Sequence, residues 1–251
     1  MNKFSSLFRK EAGIPDFSPL ICDLHSHLIP GIDDGAPDLE TSLVMIQALS
    51  AAGFRKAVTT PHIMADAYRN TPEIIRAGCE ILSEAIRSAG MDFRIEAAAE
   101  YYLDENFESL SRGSDLLSFG GESKYILFET SYISKPLSFD KVVFDLQSAG
   151  YKPVFAHPER YSWLWESTMD QFLEMKERGL LFQVNIGSFS GAFDIRARKI
   201  ARQLARAELV DFLGSDIHRP VQAESWRRAW ARSQELRELV KGGRLRNGGL
   251  G

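Results

Sequence analysis

The sequence predicts an α/β domain whose parallel sheet closes into a barrel, and three observations carry that expectation. Short apolar or β-branched runs alternate with helical patterns seven times. No linker divides the 251 residues, a length ordinary for one α/β barrel and able to bury a large core. All five histidines follow such runs and none lies inside a helical pattern, which suits a barrel whose C-terminal strand ends share one mouth. A doubly wound open sheet is the competing architecture, but it would gather ligands at one switch point rather than after every strand.

The first strand, Leu20 to Leu24, runs into His25-Ser26-His27 and then a Gly- and Asp-rich turn ending at Asp33-Asp34-Gly35. Strand geometry puts residues i and i+2 on one side, so His25 and His27 aim at one point while Leu24 faces the core. Asp38 caps a helix to about Ala52, with Leu39, Leu43, Ile46 and Leu49 as its apolar face and Gly53 beyond its end. Lys56 to Thr60 is a buried strand leading to His62. Thr71 caps and Pro72 opens a second helix to Ser88, with a stripe of Ile74, Ile75, Ile81, Leu82 and Ile86.

Phe93 to Ala99 is the third strand, with Glu100 at its end, and the irregular stretch from Tyr101 to Gly121 holds a short helix near Glu105 to Leu110. Tyr125 to Phe128 is the fourth strand, delivering Glu129. A helix from Phe139 to Ala149 precedes the fifth strand, Pro153 to Ala156, and Pro158 favours an extended His157. Met169 to Arg178 (helix), Leu180 to Asn185 (strand), Ile195 to Ala207 (basic amphipathic helix) and Leu209 to Leu213 (strand) follow, leading to Asp216 and His218. One last helix spans Ala223 to Val240. The expected division is an N-terminal extension over 1–19, one barrel domain over 20–240 and a flexible Gly- and Arg-rich tail over 241–251. Phe4, Leu7 and Phe8 fit one amphipathic turn in the extension.

A net charge of −4, with both signs interspersed, gives no nucleic-acid footprint. No run has the length of a membrane span and no signal peptide is evident. Two cysteines, Cys22 and Cys79, are too few for a disulfide framework. These features point to a cytoplasmic protein without membrane insertion.

Nine side chains converge at strand ends: His25, His27, His62, His157 and His218 as nitrogen donors, and Asp34, Glu100, Glu129 and Asp216 as oxygen donors. One zinc takes three or four protein ligands, so nine imply two or three ions. Mixed imidazole and carboxylate ligation without thiolate suits divalent manganese, iron or zinc. Such a site activates water and holds substrate oxygens. For a phosphate ester, Arg160 and Arg219 are the candidate phosphate-binding forks. The bland alternatives are a turn at Asp33-Asp34-Gly35 and solvated strand ends at Glu100 and Glu129. Glu129 resists that reading, because a carboxylate directly after a buried strand is costly unless paired or metal-bound.

These motifs, Asp23-Leu24-His25-Ser26-His27, Gly31-Ile32-Asp33-Asp34-Gly35, Thr60-Pro61-His62, Ala99-Glu100-Tyr101-Tyr102, Phe128-Glu129-Thr130, Ala156-His157-Pro158-Glu159-Arg160-Tyr161 and Ser215-Asp216-Ile217-His218, resemble the polymerase-and-histidinol-phosphatase (PHP) superfamily. Within it they are most similar to the bacterial metal-dependent protein-tyrosine phosphatases of capsular and extracellular polysaccharide synthesis. The resemblance implies a distorted seven-stranded barrel and a trinuclear centre, commonly manganese, on the same nine residues. It also implies phosphate binding by Arg160, catalytic roles for Arg160, Asp216 and His218, and a second functional arginine, for which Arg219 is the candidate. The implied reaction is hydrolysis of phosphotyrosine by metal-bound hydroxide without a phosphoenzyme, and the implied partner is a phosphotyrosine protein such as a bacterial tyrosine kinase. Neither cysteine has an arginine at Cys-x5-Arg spacing, since Leu28 and Ala85 stand there. A histidinol-phosphate or other small-molecule phosphomonoesterase of the same superfamily is the nearest rival reading, and a non-catalytic kinase-binding module is a second.

Overall fold

The structure is a computed structural model that describes residues 15–113 and 115–250; the turn expected at Phe4 to Phe8 lies outside them. In chain order the strands are β1 (Cys22–Leu24), β2 (Lys56–Thr59), β3 (His62–Ile63), β4 (Arg94–Ala97), β5 (Glu100–Tyr102), β6 (Tyr125–Glu129), β7 (Lys152–Ala156), β8 (Leu181–Asn185) and β9 (Phe212–Gly214). The helices are α1 (Leu39–Ala51), α2 (Pro72–Ser88), α3 (Glu105–Leu110), α4 (Phe139–Ser148), α5 (Met169–Glu177), α6 (Ile195–Arg206), α7 (Ala223–Arg232) and α8 (Gln234–Lys241). All strand pairs are parallel and form two sheets, β1-β2-β4 and β3-β5-β6-β7-β8-β9. The hydrogen-bonded ladder is therefore not the single closed barrel that the sequence suggested.

The division has a local cause. The second expected strand breaks at Thr60-Pro61, where proline supplies no N–H to a ladder, and the third breaks at Ala98-Ala99. Single hydrogen bonds span both breaks: Ala98 N–H to Thr59 O at 2.9 Å and Glu100 N–H to Pro61 O at 3.1 Å. At the other seam, Ser26 and Ile217 form a parallel bridge just past β1 and β9. Leu24, Val58, Leu127, Val154, Ala156 and Phe212, drawn from both sheets, meet in one buried cluster, while the larger core lies between the sheets and the helices.

Helix starts follow their caps. Asp38 accepts from Thr41 N–H to open α1, Thr71 from Ile74 N–H to open α2, and Thr168 with Gln171 makes a capping box at α5. The buried stripes differ from expectation. In α1 it is Ser42, Met45, Ile46, Ala48 and Leu49, with Leu39 exposed. In α2 it is Ile75, Cys79, Leu82 and Ile86, a helical i, i+4, i+7, i+11 series that leaves Ile74 and Ile81 outside. The expected last helix is two, because Ser233 turns extended and its hydroxyl accepts from Leu236 N–H, starting α8.

Buried residues stand on both sides of the expected 20–240 domain. Phe17 is fully buried, stacked on Phe54 and edge-on to Trp230, so packing begins before residue 20. Asn247 is fully buried, donating to Cys22 O and Leu213 O and accepting from Leu213 N–H, and Leu250 is buried with it.

Candidate metal centre and active site

The centre is assembled where the strands end, and the backbone leaves regular strand geometry to build it. His25 (φ 106°), His157 (φ 35°) and Asp216 (φ 51°) all take positive φ, which costs a non-glycine residue of order 1–3 kcal/mol and persists only where the surroundings enforce it. His157 is therefore left-handed rather than extended, because the chain turns at once into a helical turn closed by Arg160 N–H to His157 O at 2.9 Å. Likewise the convergence of His25 and His27 is not plain strand alternation, since β1 ends at Leu24. Two glycines make room: a Cβ on Gly214 would fall 2.1 Å from Leu24 O, and one on Gly35 2.3 Å from His27 O.

Glu100, fully buried at the start of β5, is the hub. Its Oε2 lies 3.1 Å from His25 Nε2, 3.5 Å from His27 Nε2 and 3.2 Å from His62 Nδ1, and its Oε1 lies 3.1 Å from His157 Nε2. Glu129 ends β6 with Oε1 3.1 Å from His62 Nδ1. Asp34 Oδ1 lies 3.5 Å from His62 Nε2 and 3.4 Å from His218 Nε2. Asp216 Oδ1 lies 3.4 Å from His25 Nε2 and 3.4 Å from His218 Nδ1. All nine sequence-predicted ligands thus meet, in four overlapping sets whose candidate donor atoms lie within 4.8 Å of one another: His27, Asp34, His62 and His218; His25, His157 and Asp216; His25, His27 and Glu100; His62, Glu100 and Glu129.

Around them lies an outer ring that the motif reading did not single out. Asp33 Oδ2 takes the Nδ1–H of His27 at 2.7 Å, and Gln183 Oε1 takes that of His25 at 2.8 Å, so each ring turns Nε2 inward. Gln183 Nε2 donates to Asn185 Oδ1 at 2.9 Å, and Asn185 Nδ2 donates to Asp216 Oδ2 at 2.7 Å. Glu159, also fully buried, accepts from Asn185 N–H and the Ser188 hydroxyl. A signal for the amide pair existed: Gln183 and Asn185 are polar at i and i+2 on an otherwise apolar strand.

Charge is distributed accordingly. Burial opposes protonation of His25, but the Glu100 and Asp216 carboxylates outweigh it and lift the imidazole to about 9. His27 is raised well above the usual histidine range, again against burial, chiefly by Asp33. Glu100 and Asp216 are held low despite burial, with His25 the main cause in both. Protons thus occupy positions that suit cations.

The family model described as "Capsular polysaccharide synthesis, CpsB/CapC" matches residues 21–228, which span every residue of this centre. The chain belongs to the CpsB/CapC family. Among curated relatives, the tyrosine-protein phosphatase YwqE of Bacillus subtilis is 31% identical over 196 residues, 78% of this chain and 76% of YwqE. The putative tyrosine-protein phosphatase CapC of Staphylococcus aureus is 24% identical over 230 residues, 89% of each chain. A solved structure from work on YwqE of B. subtilis and CpsB of Streptococcus pneumoniae, described as unique metal-dependent tyrosine phosphatases, matches with TM-score 0.75 at 28% identity. It covers 90% of this chain and 94% of its own.

In this CpsB/CapC protein the two candidate arginines sit differently. Arg160 Nη1 donates to Asp216 Oδ2 at 2.8 Å, and its guanidinium lies between the rings of Tyr132 (4.9 Å) and Phe193 (4.5 Å). Arg219 Nη1 donates to the carbonyls of Asp34, Gly35 and His218, clamping the loop that carries Asp34. Cys22 and Cys79 are buried free thiols that burial pushes up to about 12 and about 11, so neither is a thiolate near neutral pH. Tyr101 and Phe189 are core residues. No described helix is long and apolar enough to cross a membrane.

Proposed function

We propose that this protein is a metal-dependent protein-tyrosine phosphatase whose nine converging residues hold two or three divalent transition ions, manganese first, with iron or zinc as alternatives. The observation that carries the reading is the set of four overlapping donor clusters around Glu100, joined through Asp216 to the Arg160 guanidinium. The donor set fits the ions. Nε2 of His27, turned inward by Asp33, is buried with no hydrogen-bond partner, a state that is costly for a polar atom unless another ligand meets it. The mixture of imidazole and carboxylate without thiolate suits borderline divalent ions. Family membership and the resemblance to YwqE and CpsB support the activity.

Divalent ions held there supply Lewis acidity, bringing the pKa of water toward neutrality and neutralising phosphate charge. The chain supplies the rest. Arg160 offers its planar fork to non-bridging phosphate oxygens, and its bond to Asp216 fixes where the fork stands. Asp33 and Gln183 set the tautomers of His27 and His25. His218, at the rim with a side chain 19% exposed, and Asp216 complete the catalytic set. Arg219 is the second phosphate candidate, in competition with its clamp on the Asp34 loop. A tyrosine leaving group has a pKa of about 10, so it departs with little protonation by an acid. The distorted seven-stranded barrel is the architecture we infer for the two sheets, supported by the seam bonds at Pro61, Thr59 and Ile217. A cytoplasmic site of action on a phosphotyrosine protein, such as a bacterial tyrosine kinase of polysaccharide synthesis, completes the reading.

The test is phosphate release from a phosphotyrosine peptide and from histidinol phosphate, using metal-stripped protein with and without manganese. The reading expects manganese-dependent release from the peptide and little from histidinol phosphate. The reverse preference moves the function to small-molecule metabolism, and release from neither favours a kinase-binding module.

A further inference from the structure

Beside the metal centre a groove of about 410 Å³ opens, within the size range of small-molecule sites. Its walls include Tyr132, Ile133, Trp165 and Phe193, and Arg160 belongs to its lining. It is continuous with the centre through two residues. Arg160 also bonds Asp216 at 2.8 Å, and the Tyr132 hydroxyl lies 3.4 Å from Glu129 Oε2. A phosphate held by Arg160 against the centre therefore has the groove beside it, open to whatever its ester oxygen carries.

The walls are mostly apolar, with Ser162 and Asp194 also in the lining, and are partly exposed and held in place. Ile133 is 82% exposed and Phe193 39%, which is unusual for large apolar side chains so close to a buried polar centre. Trp165 is fixed by its Nε1–H to Glu159 O at 3.2 Å, and the Arg196 guanidinium lies 3.8 Å over its ring. Such walls are set before a ligand arrives and favour a flat, apolar group attached to an anion. A second cavity of about 480 Å³ flanks the centre near Tyr68, but Asp66, Asn70, Thr71 and Asn106 stand among its lining, and its arginine is engaged, with Arg69 Nε donating back to Ala65 O.

We propose that the groove beside Arg160 is the subsite for the aromatic leaving group, and that Trp165 and Phe193 make the protein selective for aryl over alkyl phosphate esters. This deepens the phosphatase reading and rests on it for the identity of the ester. The groove commits to one occupant, a ring whose phosphate is paired with Arg160; the flat aromatic walls give a planar ring more contact and better stacking than a short alkyl group of the same anion.

The experiment measures binding of phenylphosphonate and methylphosphonate to the manganese-loaded protein by calorimetry, in wild type, Trp165→Ala, Phe193→Ala and Tyr68→Ala. Phosphate release from a phosphotyrosine peptide is followed in parallel. The expected result is phenylphosphonate binding about ten-fold tighter or more in wild type. That preference falls to about three-fold or less in both groove variants, phenylphosphonate losing more affinity than methylphosphonate, and survives Tyr68→Ala. An unchanged preference in both groove variants, a loss only in Tyr68→Ala, or equal weakening of both phosphonates overturns the proposal; the last assigns these residues to Arg160 alone. Phe193→Ala changes an exposed side chain, so it keeps the test valid if Trp165→Ala misfolds. The two readings fail separately. Aryl preference lost in the groove variants without any ester hydrolysis sinks the phosphatase reading and keeps the groove, whereas hydrolysis without aryl preference does the opposite.

Discussion

Gln183→Met removes a single polar group from the ring around the centre while nearly conserving volume, and its effect can be worked from the bonds it breaks. Gln183 is fully buried, accepts from His25 Nδ1–H at 2.8 Å and donates to Asn185 Oδ1 at 2.9 Å. Methionine leaves both partners unpaired where water does not reach, at about 1–3 kcal/mol each, or about 2–6 kcal/mol together. In a chain of this size that lowers the melting temperature by about 5–20 °C. Freed of its acceptor, His25 can place a proton on Nε2, the nitrogen facing Glu100 and Asp216, so metal affinity should fall about 10–100-fold. Gln183→Glu keeps an acceptor for His25 but sets a second acceptor against Asn185 Oδ1, so it should lose stability yet bind metal more tightly than the methionine variant. The assay is manganese titration of stripped protein in chelator buffers, with thermal melts of the same samples. A methionine variant that binds and melts like wild type refutes the orienting role, as does a glutamate variant that binds metal no more tightly than the methionine one.

Arg160→Lys keeps the charge but loses the fork and the stacking between Tyr132 and Phe193. It should lower kcat/KM for phosphotyrosine about 10²-fold with manganese content unchanged, measured by steady-state kinetics and metal analysis. His25 is raised to about 9 in the folded state, so its stabilising proton is fully present below the unfolded value near 6.5 and is lost as pH rises through 9. Melts of metal-free protein should therefore show declining stability across that window, and manganese, which competes with the same proton, should bind more tightly there. Asn247→Ala removes three buried bonds to Cys22 and Leu213 and should cost about 2–4 kcal/mol, read by urea denaturation.

How much was legible follows from how each feature is encoded. The nine donors could be read because each residue type carries its chemistry in the sequence and each stands next to an apolar run that marks a strand end. Asp33 and Asp34 show the limit of that reading. They are adjacent in the same turn, yet Asp33 orients His27 and Asp34 faces the cluster, a division set by one backbone turn that composition does not record. The helix stripes drifted because Ile74 and Ile81 are apolar without facing the core, while Cys79 and Ser42 are buried on faces fixed by neighbouring elements. Asn247 was invisible because a Gly-rich tail reads as loose until its amide meets Cys22 and Leu213, over 30 residues away or more. The left-handed turn at His157 ran against a local rule, and such exceptions gather where function demands a particular geometry.

The most direct test titrates metal-stripped protein with manganese and follows bound ions per chain and phosphotyrosine hydrolysis in the same samples. The account predicts negligible turnover in the stripped protein, two or three ions bound at saturation, turnover that appears as the second or third ion binds, and loss of both in Glu100→Gln. Full turnover by the stripped protein, or turnover that Glu100→Gln leaves intact, would contradict it.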